Sequence, residues 1–232
     1  MSLEYVGSAG LAFIVLFTVL LPLLALRSAR RLRTHPMPPA VAVFRSVLVQ
    51  QVLILGASLF VARAEWIPIY IAPDRWILSL TLSVVLTIGL VLVMRPMWRR
   101  AVARKDARIQ LLIPRTSGER ILWVAVSIAA GVAEEVAYRG VLWVTLERWI
   151  GSPVIAAMVA SLAFGVAHAL QGWRGVVVVT AVALGLHGLV RVTGSLLAPI
   201  LVHVAYDIIA VFAYAALDRT RRDVGPDWPS PA

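Results

Sequence analysis

Long stretches of this chain carry no charge. Not one charged residue falls between Val6 and Leu26, between Ser46 and Ala62, or between Ile77 and Met94. An α-helix rises about 1.5 Å per residue, so roughly 20 apolar residues cross a hydrocarbon core of about 30 Å. Backbone amides in lipid must be satisfied within their own segment, which makes helices the default. Composition agrees: 60% of residues are hydrophobic and the mean hydropathy is +0.87, against about 45–50% apolar residues in a soluble domain. The expected fold is all-α, a polytopic transmembrane helical bundle of about seven spans.

Four further spans follow, at Ile121–Leu146, Pro153–Leu170, Val176–Val192 and Ser195–Leu217. Thr116-Ser117-Gly118-Glu119 has capping-box spacing and should start the fourth helix. Ser152-Pro153 reads as an N-cap followed by proline at the first helical position. Val6–Leu26 is too long for the apolar part of a leader and follows Glu4 rather than basic residues, so it reads as the first span. Residues 1–113 then form a three-span scaffold with a basic loop, 114–217 a second transmembrane unit, and 218–232 a polar, proline-rich tail expected to be disordered.

The formal net charge is +10. The basic residues flank apolar runs, so membrane lipid headgroups are the expected partner and nucleic acid is not. Arg95–Arg120 alone holds eight basic residues against Asp106 and Glu119. That loop, Arg27–Arg33, Arg174 and Arg219, Arg221 and Arg222 fall on one side of a seven-span arrangement. The positive-inside rule makes that side cytoplasmic and puts the N-terminus outside, in what is expected to be a bacterial plasma membrane. The chain has no cysteine, which excludes disulfides, thiolate metal sites and a cysteine nucleophile.

A charge at the bilayer centre costs about 2.5–3.5 kcal/mol on insertion scales, so each one asks for a reason. The first three spans hold none and read as scaffold. The others hold Glu134, Glu135, Arg139, His168, His187, His203 and Asp207. Glu135 and Arg139 are four residues apart and share a helix face, as an internal ion pair would. Glu134 points about 100° away on the same helix, with no local partner. A poorly hydrated carboxylate of this kind suits a general base. Phe164 and His168 share a face of the fifth helix, and His203 and Asp207 a face of the seventh. His187 has no companion at helical spacing and reads as a packing residue. At about 1.5 Å per residue, His203 lies about 12 Å and His168 about 24 Å from the outer ends of their helices. Convergence would need shifted ends or tilted helices.

Three segments, in order, resemble the family of CAAX proteases and bacteriocin-processing enzymes, the Abi-type intramembrane proteases. They are Glu134-Glu135 with Arg139, Phe164 with His168, and His203 with Asp207. The run Gly194–Ile200 and the triplet Gly118-Glu119-Arg120 are also similar to that family. The resemblance covers about Pro114–Leu217. It implies an intramembrane endopeptidase acting on a membrane-associated protein or peptide, in which Glu134 and His168 activate a water. His203 and Asp207 would position that water or stabilise the oxyanion, with Glu135, Arg139 and Phe164 in support. Prenyl-protein endopeptidases of the family typically carry asparagine at the last motif position, where this chain has Asp207. That departure bears on a prenylated substrate more than on proteolysis.

No cofactor is required by this chemistry. The same four residues, Glu134, His168, His203 and Asp207, are alternatively a nitrogen/oxygen donor set for zinc. Two other classes stay open on sequence alone. One is a non-catalytic membrane scaffold or chaperone on the same fold. The other is a proton- or ion-coupled transporter, disfavoured because no inverted repeat or pair of broken helices is visible.

Overall fold

The computed structural model describes residues 6–34, 38–104 and 113–224. Among them the chain forms seven long helical segments and no strand. Helix α1 covers Ser8–Val15, widens through a π turn at Leu16–Leu20 and continues over Leu21–Thr34. The wide turn lies just ahead of Pro22, whose ring would clash with the carbonyl four residues earlier in a regular helix. Helix α2 is Ala40–Ala64 and α3 is Trp76–Ala103. Helix α4 runs Ser117–Glu135, a π turn at Val136–Leu142, then Trp143–Ile150. Helices α5, α6 and α7 are Pro153–Ala167, Gly172–Thr193 and Leu197–Val224. Six are long and apolar enough to cross a membrane; α5, at 15 residues, is the shorter apolar one. The chain is an integral, multi-pass membrane protein.

The caps read from sequence are present. Thr116 and Glu119 form the capping box, and Ser152 accepts from the Ile155 amide ahead of Pro153. Several helices outrun the apolar segments that announce them. Helix α3 continues past Met94 through Pro96 to Ala103, because basic residues outside the lipid are good helix formers. Helix α7 likewise continues through Asp218 to Val224, so the first part of the tail is helical. The rest of the tail, with Pro36 and the Lys105–Arg108 part of the basic loop, lies outside the described residues.

Helix α4 is the hub. Its most apolar stretch is 56% buried, against 17–28% for the other spans. Helices α2 and α7 pack along its first half, and α1 and α5 along its second. An aromatic ladder runs inward from α1. Phe13 stacks on Phe17 at 4.2 Å, Phe17 meets Tyr138 edge-on at 5.2 Å, and Tyr138 meets Phe164 at 4.8 Å.

The ends that alternate to one side do meet. Glu65, at the end of α2, accepts from the Gly7 and Gly10 amides at the start of α1 (3.0 and 2.8 Å). Arg148, near the end of α4, donates to the Glu65 carbonyl at 2.7 Å. The turn before α7 is held by the loop before α3. The Leu196 amide donates to the Tyr70 carbonyl at 2.9 Å, and the Ser195 hydroxyl donates to that of Ile71. Ser195 and Leu196 are 1% and 4% exposed, so α7 starts beneath the surface, under that loop. This accounts for the unequal depths of His168 and His203 counted along their helices.

Close approach of α5 and α6 depends on Gly165. A Cβ there would lie 2.8 Å from the Val176 carbonyl oxygen and run into Thr180. Small residues let membrane helices approach in this way. Gly165→Ala should therefore lower the melting temperature in detergent, by overpacking of about 1–3 kcal/mol. Gly185→Ala, where nothing lies within 4 Å, should not. Equal melting temperatures for the two variants would contradict this packing.

Candidate active site

The residues that do not belong in lipid gather around the start of the π turn in α4. Glu134 and Glu135 are the last two residues before the turn reaches Val136, and Arg139 lies within it. π turns redirect side chains and recur at functional sites. Here the two adjacent carboxylates face different partners.

Glu135 faces inward and its side chain is 0% exposed. One oxygen, Oε1, accepts from the Arg139 guanidinium at 3.0 Å and from His203 Nδ1 at 2.8 Å. Arg139 also donates to the Ala183 carbonyl of α6 at 3.3 Å, and its guanidinium lies 4.7 Å over the Phe164 ring. Phe164 in turn touches His168, with ring centroids 4.5 Å apart. The i,i+4 pair expected of Glu135 and Arg139 is present, and Glu135 also orients His203.

Glu134 faces two histidine-bearing helices, α5 and α7. Its Oε2 lies 3.9 Å from His168 Nε2 and 3.8 Å from His203 Nε2. His203 Nε2 is 3.7 Å from Asp207 Oδ2. The structure thus brings together Glu134, His168, His203 and Asp207. These separations exceed direct hydrogen bonds and match polar groups that share a water. His168 and Asp207 are the most open of the four side chains, at 26% and 31% exposed, against 11% and 13% for His203 and Glu134.

The hydrogen bonds place a hydrogen on Nδ1 of both rings. His168, the C-cap of α5, places Nδ1 2.8 Å from the Phe164 carbonyl. A carbonyl only accepts, so Nδ1 holds a hydrogen and Nε2 is the ring nitrogen that faces Glu134. By the same reasoning, His203 Nδ1–H points at Glu135 and leaves Nε2 facing Glu134 and Asp207.

His187 lies apart. It is 2% exposed, edge-on to Trp143 at 4.8 Å, and neither ring nitrogen has a hydrogen-bond partner among the described residues. One polar contact was not foreseen. Gln51 of α2 donates from Nε2 to Glu134 Oε1 at 2.7 Å, so Glu134 has a partner on a span that reads as pure scaffold. The available signal is a glutamine in the middle of an apolar run, weaker than a charge because an uncharged amide is far less costly in lipid.

Zinc can be tested against this geometry. Two imidazole nitrogens and two carboxylates are a chemically suitable set, and tetrahedral ligands at about 2.0 Å lie roughly 3.3 Å apart. The separations here are 3.7–3.9 Å, and among the described residues no three such side chains close on one ion. At these separations the side chains would have to draw closer to hold a metal.

Truncating Arg139 would leave Glu135 buried without its cation. Removing one partner of a buried pair costs about 3–5 kcal/mol. Arg139→Ala should lower both the folded fraction in the membrane and the melting temperature. Normal abundance and stability with abolished turnover would instead give Arg139 a direct part in the chemistry.

No curated protein and no solved structure matches the chain. Residues 116–209 match the family described as type II CAAX prenyl endopeptidase, Rce1-like. All three motifs and the whole Glu134–His168–His203–Asp207 cluster fall inside that segment, which is similar to the CAAX protease family.

Proposed function

We propose that the protein is an intramembrane endopeptidase that hydrolyses a peptide bond of a membrane-associated protein or peptide with a water activated by Glu134 and His168. The observation that carries the reading is the placement of Glu134 Oε2 within 3.9 Å of both His168 Nε2 and His203 Nε2, inside the segment that matches the protease family.

A water in that gap donates one hydrogen to Glu134 Oε2 and the other to the lone pair of His168 Nε2. Its oxygen lone pair then points at an incoming carbonyl carbon. Glu134 takes a proton as the C–O bond forms, and the carbonyl electrons move to oxygen. His203, as an imidazolium that keeps Nδ1–H on Glu135, presents an Nε2–H to that oxyanion. Asp207 supplies a second donor when protonated. Collapse of the tetrahedral intermediate breaks the C–N bond, and the proton held by Glu134 passes to the leaving amine. A carboxylate placed this way contributes roughly 100- to 10,000-fold in rate. Asp207 sits where prenyl-protein endopeptidases of the family typically have asparagine. The substrate question is therefore put to a farnesylated C-terminal CAAX peptide and to the same peptide without the lipid.

Glu134→Gln keeps the shape of the side chain and cannot take a proton. With either peptide as probe, it should abolish cleavage while abundance and melting temperature stay at wild-type values. Chelators should leave the wild type active. Activity lost on chelation and restored by zinc would overturn the metal-free chemistry and make His168, His203, Asp207 and a glutamate ligands. Wild-type turnover in Glu134→Gln would overturn the catalytic role itself.

A further inference from the structure

Among the described residues, the side chain in hydrogen-bond contact with Glu134 comes from outside the segment that matches the protease family. Gln51 lies on α2, 3% exposed, and its amide nitrogen donates to Glu134 Oε1 at 2.7 Å. The two carboxylate oxygens of Glu134 are thereby divided. Oε1 is tied to α2, and Oε2 is the one that faces both imidazoles. A glutamate side chain has a freely rotating terminal torsion. Without an anchor on one oxygen, its plane would not be set relative to a water held between Oε2 and His168.

The orientation of the amide follows from chemistry. A carboxylate only accepts, so the nitrogen of Gln51 must face Glu134 and its carbonyl oxygen must point elsewhere. That oxygen is buried and has no hydrogen-bond partner among the described residues. An unsatisfied buried acceptor costs about 1–3 kcal/mol. A glutamine retained for packing alone would be replaced without loss by an apolar side chain of the same length. The neighbouring Gln50 makes the contrast: it is exposed on the outer face of the same helix.

We propose that Gln51 is a positioning residue for peptide-bond hydrolysis, holding the Glu134 carboxylate so that Oε2 meets the attacking water. The scaffold half of the chain then supplies part of the active site, which the three family motifs do not contain. This inference rests on the endopeptidase reading above.

The test uses the full-length protein in detergent or liposomes, with the farnesylated and unfarnesylated CAAX peptides as probes. Gln51→Met keeps length and volume and removes both hydrogen-bonding ends. Gln51→Asn keeps the amide but shortens the reach by one methylene. Both should lower kcat at least about 10-fold, with KM within about twofold and with wild-type abundance and melting temperature. Gln50→Met, on the exposed face, should behave as wild type. Unchanged kcat in either folded Gln51 variant overturns the proposal. So does a loss of turnover that merely follows the loss of folded protein, which is what a packing role would give. Wild-type protein that cleaves neither peptide, or a Glu134→Gln variant that cleaves as well as wild type, would fail the endopeptidase reading instead, so the two failures are distinguishable.

Discussion

A carboxylate with no access to solvent, in the middle of a membrane bundle, sets the terms for everything around it. Glu135 is 0% exposed and one oxygen takes both the Arg139 guanidinium and His203 Nδ1. Taking such a charge out of water costs several kcal/mol even after relaxation, and only close, well-aligned partners offset it. Those partners come from a neighbouring turn of α4 and from α7, and Arg139 reaches on to the Ala183 carbonyl of α6. One buried charge thus links three helices. It also keeps the His203 ring turned so that Nε2 faces Glu134.

The neighbouring glutamate is released from that structural task. The same backbone segment leaves the Glu134 side chain partly exposed, with Gln51 on one oxygen and two imidazoles near the other. Adjacent identical residues thus have different work, divided by which face of α4 each occupies. The division leaves some polar atoms unpaired: among the described residues, Glu135 Oε2, Arg139 Nε and Gln51 Oε1 are all buried without hydrogen-bond partners. Unsatisfied groups of this sort are rare in native cores, and each asks for an explanation. Around them the packing is ordinary, with small residues at crossings such as Gly165 and Gly131 and an aromatic ladder from Phe13 to Phe164.

Much of this is legible in the amino-acid sequence, for a physical reason. Ionisable residues are so costly in lipid that Glu134, Glu135, Arg139, His168, His203 and Asp207 stand out without any comparison. Helical spacing alone pairs Glu135 with Arg139. Local chemistry also marks the start of α4 at Thr116 and of α5 at Ser152-Pro153. What is not legible depends on tertiary contact. His203 has Asp207 one turn away on its own helix, yet its hydrogen bond goes to Glu135, 68 positions earlier in the chain. Gln51 carries no charge and so gives little warning. The buried start of α7 depends on carbonyls of Tyr70 and Ile71, whose role no local pattern announces. The π turn at Val136–Leu142 likewise has no proline or glycine signal strong enough to place it, although it carries Arg139.

The central claim is that Glu135 orders the site while Glu134 does its chemistry. The most direct measurement is the turnover of Glu135→Gln, read beside its melting temperature. Glutamine can still accept from Arg139 but carries no charge to balance it, so the account predicts a lower melting temperature with reduced but measurable cleavage. Abolished cleavage at an unchanged melting temperature would contradict it and make Glu135 the base.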